Sequence, residues 1–224
     1  MNKGFWGILG GIVIIFGLFV IFAHHSNSSS SSGTPSQNIE GLGKANVKLV
    51  EYGDYECPYC EEYASVVNQV VSDEFNNITF QFINYPLTSI HPNAFPGARA
   101  AQAAGLMGKF WQMHDALYNP SNWNQWSTSN NPMPYFQTYA SELGLNVKTF
   151  INKYNSNQVN NMIEADMTLG NNLNIQGTPT FYLDGKQIQV SPQVSAFEKL
   201  INAAIASHGS VSNTSSGSTT QTKK

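Results

Sequence analysis

Residues Val50 to Tyr63 read VEYGDYECPYCEEY and contain both cysteines of the chain, Cys57 and Cys60. The overlapping residues 46–52 (NVKLVEY) form an apolar run with few polar breaks, which predicts a strand buried on both faces. After the cysteines, apolar residues recur every three or four positions, which predicts an amphipathic helix. Pro58 suits the first turn of that helix. The sequence therefore places a C-x-x-C pair where a strand passes into a helix.

A C-x-x-C pair at the start of a helix is typical of thiol–disulfide exchange. The first thiol lies where unpaired backbone N–H groups and the positive end of the helix dipole converge, which favours the thiolate. The second cysteine lies one turn further along and can attack a mixed disulfide formed by the first. Cys57 is therefore the predicted nucleophile and Cys60 the predicted resolving cysteine. Three other uses stay open at this point: a structural disulfide, unpaired thiols, or half of a zinc site completed by His91 and His114.

The elements around this junction follow an order of strand, helix, strand, a long helical region, two strands and a helix. The second strand, Ile78–Ile83, completes a right-handed βαβ unit with parallel strands. Residues His91–Tyr118 predict a long alanine-rich helix, and Asn119–Pro134 predict a polar loop. Residues 180–190, with an Asp-Gly turn at 184–185, predict a β-hairpin before a closing amphipathic helix. Three further helices are predicted between the loop and the hairpin, at Tyr135–Leu143, Val147–Tyr154 and Gln158–Leu169.

The two ends of the chain differ in composition from its middle. Gly4–Ala23 carries no charged side chain and is long enough to cross about 30 Å of hydrocarbon as a helix. Lys3 precedes it, which predicts a single-pass anchor with the rest of the chain outside the cytoplasm; a cleaved signal peptide is the alternative. The predicted domains are therefore a cytoplasmic stub with the anchor (1–23), a Ser-rich linker (24–38), a folded domain (39–207, with a helical insert at about 88–170) and a disordered tail (208–224).

The charges exclude a basic surface for nucleic acid. The chain holds a single arginine, Arg99, and residues 39–207 carry a formal charge of −6, from eight basic and fourteen acidic side chains. Five of these acids fall within twelve residues around the cysteines: Glu51, Asp54, Glu56, Glu61 and Glu62. Glu56, Glu61 and Glu62 add a negative potential close to the cysteines, which disfavours a thiolate.

Three motifs in this order resemble the thioredoxin superfamily, specifically DsbA-like thiol–disulfide oxidoreductases of the membrane-anchored or exported bacterial type. The stretch VEYGDYECPYCEEY resembles the strand, active site and helix of that family, and HPNA…ARAAQAAG…KFWQMHDALY resembles its helical insert. QGTPTFYLDGK (Gln176–Lys186) resembles its cis-proline loop and hairpin. The similarity covers about residues 44–207. It implies an α/β thioredoxin fold with a helical insertion, preceded here by a single N-terminal transmembrane helix.

The resemblance also implies residues that support the cysteines. Thr178-Pro179 matches the cis-proline, beside which the backbone of the preceding residue pairs with an extended substrate chain. Glu51, six residues before Cys57, matches a buried acid that takes a proton from Cys60 during exchange. A partly solvated carboxylate at the strand edge is the alternative for Glu51.

The residues between the cysteines depart from the strongest oxidants of the family. Many of those carry Pro-His there, whereas this chain has Pro58-Tyr59. A histidinium stabilises the thiolate, and Tyr59 supplies no charge. With the nearby acids, this predicts a less depressed pKa for Cys57 and an oxidising but milder redox couple.

The implied function is oxidation of free thiols on exported protein substrates, without a metal or organic cofactor. The resemblance implies reoxidation by a DsbB- or VKOR-like membrane partner and a location at the cell membrane, with the C-terminal domain on the extracytoplasmic side. A reductase or isomerase, a metal-binding or metallochaperone domain, and a catalytically silent scaffold are the alternatives. His91 and His114 are expected to be structural, and core packing is the expected role of Trp111, Trp123 and Trp126.

Overall fold

A five-stranded sheet forms the centre of the protein in the computed structural model, which describes residues 33–214. Its strands lie side by side in the order β1-β3-β2-β4-β5. β2 and β3 are parallel, and the other neighbouring pairs are antiparallel. The strands are β1 (Ile39–Glu40), β2 (Val47–Gly53), β3 (Ile78–Asn84), β4 (Thr180–Leu183) and β5 (Lys186–Ile188).

Eight helices lie in the described residues. They are α1 (Pro58–Asp73), α2 (Ala94–Gly105), α3 (Phe110–Tyr118), α4 (Pro120–Trp126), α5 (Met133–Glu142), α6 (Val147–Tyr154), α7 (Asn157–Asn172) and α8 (Val194–Thr214). Helices α2 to α7 form one insertion between β3 and β4, while α1 and α8 pack against each other. The predicted thioredoxin-like α/β fold with a helical insertion is confirmed.

The central strand β2 leads to the two cysteines and contains Glu51 in its buried part. Leu49 and Glu51 lie two positions apart and share one face of the sheet, and both are almost completely buried. Glu51 lies between Phe82 of β3 and Phe181 of β4 in the sheet register. At the end of the strand, a Cβ atom on Gly53 would lie 2.3 Å from the ring of Phe82, so this position requires a glycine.

The helical insertion is divided more finely than the sequence predicted. The predicted helix His91–Tyr118 is two helices, because Gly108 adopts a φ of +77° and reverses the chain between them. The predicted loop Asn119–Pro134 contains α4. The Asn119 side chain accepts a hydrogen bond from the Ser121 N–H at the start of α4, and Pro120 occupies its first turn. Both features are local signals for the start of a helix. The prediction of a loop considered only the polar composition of this segment and missed them.

The fold begins before the predicted boundary at residue 39. Ser36 is completely buried, and its N–H and Oγ donate to the two carboxylate oxygens of Asp166 at 2.8 and 2.6 Å. Asn84 Nδ2 donates to the same carboxylate at 2.7 Å. Residues 36–38 therefore belong to the folded domain and not to the linker, because a buried carboxylate in α7 needs their donors. The strand β1 that follows has two residues, which is too short for a pattern of alternation.

The closing helix extends past the predicted start of the tail at residue 208, since α8 continues to Thr214. The predicted anchor Gly4–Ala23 and the last ten residues lie outside the described residues. Among the helices of residues 33–214, none combines the length and apolarity needed to cross a membrane.

Candidate active site

The two cysteines lie where β2 passes into α1. Cys57 occupies the N-cap of α1 with φ −71° and ψ 123°, and Pro58 begins the first turn. Cys57 is 4% exposed and Cys60 is completely buried. Both are free thiols in the structure. The N–H of Cys57 donates to the carbonyl of Asp54 at 3.1 Å, which closes the turn before the helix.

The environment of Cys57 favours its thiolate. The hydrogen bond from the Cys60 thiol is the main cause that lowers the pKa of Cys57 from 9.0 to about 6, although burial opposes it. The Thr178 hydroxyl and the backbone N–H groups of Tyr59 and Cys60 lower this pKa further. When the sulfur holds its proton, it donates to the Thr178 carbonyl at 3.3 Å. A Cys57 with this pKa is mainly ionised at pH 7.

Cys60 is held in the opposite state. Burial is the main cause that raises the pKa of Cys60 well above its ordinary value, and its donation to Cys57 and the negative charge of Glu51 raise it further. Its single backbone donor is the Asp54 N–H, 3.4 Å from Sγ, which lowers the pKa slightly. Cys60 is therefore a thiol at neutral pH and needs a base before it can attack.

Glu51 is the buried acid that the resemblance implied. It is 3% exposed, which excludes the alternative of a solvated carboxylate at the strand edge. Burial raises the pKa of Glu51 from 4.5 to about 8, and the negative charge of Cys57 adds to this effect. A carboxyl group with a pKa close to the operating pH can accept and return a proton efficiently.

The predicted proline loop lies against the sulfur of Cys57. The Thr178-Pro179 peptide bond is cis, as predicted. A cleft of about 200 Å³ opens beside this loop and the start of α1. Its wall includes Tyr59, which is 65% exposed, and Tyr63, whose hydroxyl donates to the Val190 carbonyl at 2.5 Å. The cleft therefore lies between the cysteines and the edge of the sheet at β5.

Asp54 organises the loop before the cysteines, a role that was not predicted from the sequence. Its buried carboxylate accepts hydrogen bonds from the N–H of Glu56 at 2.8 Å and of Leu87 at 2.9 Å. His91 Nδ1 lies 2.7 Å from the same carboxylate. His91 is structural, as expected, but its partner is the active-site loop. The two residues are 37 positions apart, and no local pattern connects them.

Tyr55 and Glu56 attach the same loop to the helical insertion. The Tyr55 hydroxyl lies 3.0 Å from His114 Nδ1, and the Tyr55 carbonyl accepts a hydrogen bond from Trp123 Nε1 at 2.8 Å. The carboxylate of Glu56 accepts a hydrogen bond from the Asn93 N–H. Burial lowers the pKa of His114 to about 3, so its ring is neutral. The insertion therefore holds the active-site loop in place.

Trp111 and Trp126 have packing roles, Trp126 inside the insertion and Trp111 partly buried between the insertion and the sheet. Trp126 is completely buried and contacts Phe136, and Trp111 packs against Phe80 and His114. Their predicted packing role is confirmed, whereas Trp123 also has the polar contact to the loop described above.

Neither histidine lies in an arrangement suited to a metal. Both rings are bonded to the loop, His91 to Asp54 and His114 to Tyr55. Among the described residues, no group of three or more His, Cys, Asp or Glu side chains is placed to hold a metal ion.

Comparison with known proteins identifies the class that this fold and site define. The family model described as thioredoxin matches residues 34–203, which is most of the chain. The chain belongs to the thioredoxin family.

Solved structures of DsbA-type proteins share the fold. BdbD from Bacillus subtilis, in its oxidised form, is 22% identical, with 78% of this chain and 97% of that chain covered and a TM-score of 0.64. The α-DsbA1 protein of Wolbachia pipientis is 18% identical, with 78% and 94% covered and a TM-score of 0.66. The predicted membership of the thioredoxin superfamily is confirmed, and the DsbA-type structures share its fold.

Curated relatives match a segment of longer proteins. The Na⁺/H⁺ antiporter NhaA 1 of Salinispora arenicola is 32% identical over 169 residues, which is 75% of this chain and 25% of the relative. An antiporter of the same name from Mycolicibacterium gilvum is 29% identical over 152 residues, 67% of this chain and 24% of the relative. The chain thus spans about a quarter of the length of these curated relatives.

Proposed function

We propose that this protein oxidises pairs of thiols on exported proteins through a Cys57–Cys60 disulfide. The observation that carries the proposal is the opposite perturbation of two buried thiols one helical turn apart. The pKa of Cys57 is lowered to about 6, while that of Cys60 is raised well above its ordinary value. This asymmetry assigns the role of nucleophile and stable leaving thiolate to Cys57, and that of resolving thiol to Cys60.

The reaction consists of two thiol–disulfide exchanges. A substrate thiolate attacks Cys57 Sγ of the disulfide, and Cys60 leaves and takes up a proton. A second substrate thiolate then attacks the substrate sulfur of the mixed disulfide. The substrate disulfide forms, and Cys57 leaves as a thiolate. Two electrons pass from the substrate to the C-x-x-C pair, and the chain needs no metal or organic cofactor for this step.

Glu51 is the proposed proton donor and acceptor for Cys60. When Cys60 leaves, a protonated Glu51 can supply its proton, and the ionised carboxylate can take that proton back during reoxidation. The pKa of Glu51, raised to about 8 by burial, suits both directions near neutral pH.

The cleft beside the proline loop is the proposed substrate site. Thr178 and Pro179 line it together with the β5 edge residues Gln187 and Ile188. An extended substrate segment there would lie beside Cys57, since the Thr178 carbonyl is 3.3 Å from the sulfur. Pro58 and Tyr59 support the site by starting α1 and by forming part of the cleft wall.

The proposed location is the cell membrane, with the folded domain on the extracytoplasmic side. The uncharged segment Gly4–Ala23 supports an anchor, residues from 24 to about 35 a linker, and the last residues a tail. The antiporter names of the curated relatives also support a membrane setting. A DsbB- or VKOR-like membrane protein is the proposed oxidant that regenerates the disulfide.

The reduction potential distinguishes an oxidase from a reductase. Thiol pKa values of ~7 and ~3.5 accompany potentials of about −270 mV in thioredoxin and about −120 mV in DsbA. With roughly 30 mV for each tenfold change in equilibrium constant, a Cys57 pKa of about 6 predicts a potential between about −240 and about −195 mV. Equilibration of the full chain with glutathione buffers measures it. A potential close to −270 mV would favour the reductase or isomerase.

A trapping experiment tests the cysteine assignments. In Cys60→Ala the resolving thiol is absent, so we expect covalent complexes between Cys57 and exported substrates that a reductant releases. Cys57→Ala is the matched control and should trap nothing through the buried Cys60. Oxidation of reduced ribonuclease should be lost in both variants. Retention of full activity in Cys57→Ala would overturn the assignment of the nucleophile.

A further inference from the structure

The hydroxyl of Tyr118 is a buried polar group that the proposed mechanism does not use. Tyr118 is the last residue of α3 and is 5% exposed, and its Oη has no hydrogen-bond partner among residues 33–214. A buried hydroxyl without a partner loses its hydration and gains nothing in return. We therefore looked for a step of the reaction in which the Tyr118 hydroxyl can form a hydrogen bond.

The position of the Tyr118 ring brings it to the rear of the active site. Its centroid lies 4.9 Å from that of Tyr55 and 6.4 Å from that of Phe82. Phe82 in turn adjoins Glu51, because a Cβ atom on Gly53 would lie 2.3 Å from the Phe82 ring and 3.1 Å from Glu51 Oε1. Helices α1 and α3 are in contact as well, and the Tyr118 ring belongs to the same buried cluster as Cys60.

The charges that act on the hydroxyl agree with this placement. After burial, the negative charge of Cys60 is the largest cause that raises the pKa of Tyr118 well above its ordinary value of 10, and the charge of Glu51 is the next. Asp54 and Tyr55 add smaller effects, and the His114 ring, 5.0 Å away, is neutral. Tyr118 therefore keeps its proton and is a donor at all working pH values.

We propose that Tyr118 Oη donates a hydrogen bond to the Cys60 thiolate at the moment when Cys60 leaves the disulfide. The inference rests on the proposed function. Before exchange, Cys60 is bonded to Cys57 and carries no charge; afterwards it holds a proton that it donates to Cys57. A full negative charge is present on Cys60 only in between, and then the Asp54 N–H at 3.4 Å is its one backbone donor.

This role predicts an effect on rate without an effect on equilibrium. In Tyr118→Phe, attack of a small thiol such as glutathione on the oxidised full chain should slow about ten-fold, which is roughly 1.4 kcal/mol in activation free energy. The reduction potential should stay unchanged, because the donor stabilises neither the disulfide nor the protonated thiol. The loss should grow as the pH rises past about 8, where Glu51 is ionised and can no longer protonate the leaving sulfur.

Stopped-flow measurements between pH 6 and 9 on four chains test the inference. Tyr139→Phe is the matched control, because Tyr139 is also 5% exposed in the insertion and makes a single 3.5 Å hydrogen bond, to the Asn122 carbonyl. We expect its rates to stay within two-fold of those of the wild-type chain. The proposed function is read separately on the wild-type chain and Cys57→Ala: oxidation of reduced ribonuclease by the first and not by the second shows that it holds, whatever Tyr118 does.

Two results would overturn the role of Tyr118. One is a rate for Tyr118→Phe within two-fold of wild type at pH above 8. The other is a loss that is equal at every pH and accompanied by a shifted potential, which would mark a packing defect. The substitution removes one oxygen that has no partner, so the fold should tolerate it, and thermal unfolding of the variant checks this.

Discussion

Replacement of Thr178 by valine should raise the pKa of Cys57 and leave the fold intact. The Thr178 hydroxyl is one of the groups that lower this pKa to about 6, and the carbonyl of the same residue lies 3.3 Å from the sulfur. A hydrogen bond to a charged group contributes about 1.5–3 kcal/mol, and 1.36 kcal/mol corresponds to one pKa unit. Because the sulfur also accepts from Cys60 and two N–H groups, we take the low end and expect a pKa of about 7 in Thr178→Val.

The assay must follow the midpoint of titration and not a single rate. At pH 6 the thiolate fraction should fall from about 50% to about 10%, but a thiolate of higher pKa is intrinsically more nucleophilic, by about three-fold here. The alkylation rate at that pH therefore changes by only about two-fold. Thiolate absorbance at 240 nm and iodoacetamide labelling of the reduced full chain, both followed from pH 4 to 9, give the midpoint directly.

A neighbouring threonine provides the control for this prediction. Thr180 is the first residue of β4, directly after Pro179, and its hydroxyl donates to the Gly177 carbonyl at 2.7 Å. Thr180→Val should therefore keep the Cys57 midpoint at about 6. The reasoning is refuted if Thr178→Val also stays at about 6, or if the wild-type chain titrates near 9.

Three further predictions concern buried charges. Glu51 has a pKa raised above its unfolded value, so its contribution to stability is present below about pH 4.5 and is lost as the pH rises through about 8. As the pH rises over that range, the free energy of unfolding of Glu51→Gln, measured with urea, should increase relative to that of the wild-type chain by up to about 5 kcal/mol. Parallel pH profiles of the two chains would contradict this. Asp166→Ala removes the acceptor of Ser36 and Asn84 and should lower the free energy of unfolding by about 3 kcal/mol, with faster proteolysis before residue 40 as a second readout. His91→Ala takes a donor from the buried Asp54 carboxylate and should cost about 2 kcal/mol by urea unfolding; a loss under 0.5 kcal/mol would show that the other two donors suffice.

Motifs of short range could be predicted from the sequence, because each carries its own local physics. The C-x-x-C pair follows a strand and opens a helix, and Pro58 fits the first turn of α1. The proline at 179 could be assigned a cis bond through its family motif. The βαβ unit and the hairpin followed from hydrophobic periodicity and the Asp-Gly turn, although β5 is shorter than predicted.

Contacts of long range could not be predicted, because no periodicity connects their partners. The carboxylate of Asp166 and the donors of Ser36 are 130 positions apart, so the start of the fold could not be located from composition alone. Tyr55 and His114 are 59 positions apart, and a histidine on an apolar helix face has no visible partner in a single sequence. Tyr118 belongs to a family motif in the sequence, but only the structure shows that its hydroxyl is buried and has no hydrogen-bond partner among the described residues.

The acids around the cysteines act differently from what their number suggests. As negative charges close to Cys57 they were expected to oppose the thiolate, yet hydrogen bonds and burial set its pKa. Asp54 and Glu56 accept hydrogen bonds from the segment that leads into the insertion, so their carboxylates fix the loop.

The lowered pKa of Cys57 requires the loop before the cysteines to be held in one position. The N–H groups of Tyr59 and Cys60 and the hydroxyl of Thr178 stabilise the sulfur only if α1 begins at one position relative to the proline loop. Preorganised donors need no rearrangement when the charge develops, which makes them more effective than the same groups in a mobile loop. The insertion holds that loop through Asp54, Tyr55 and Glu56. It follows that the pKa of Cys57 depends on contacts 30 or more positions away in sequence, and that Asp54 and Glu56 support the thiolate by fixing the loop.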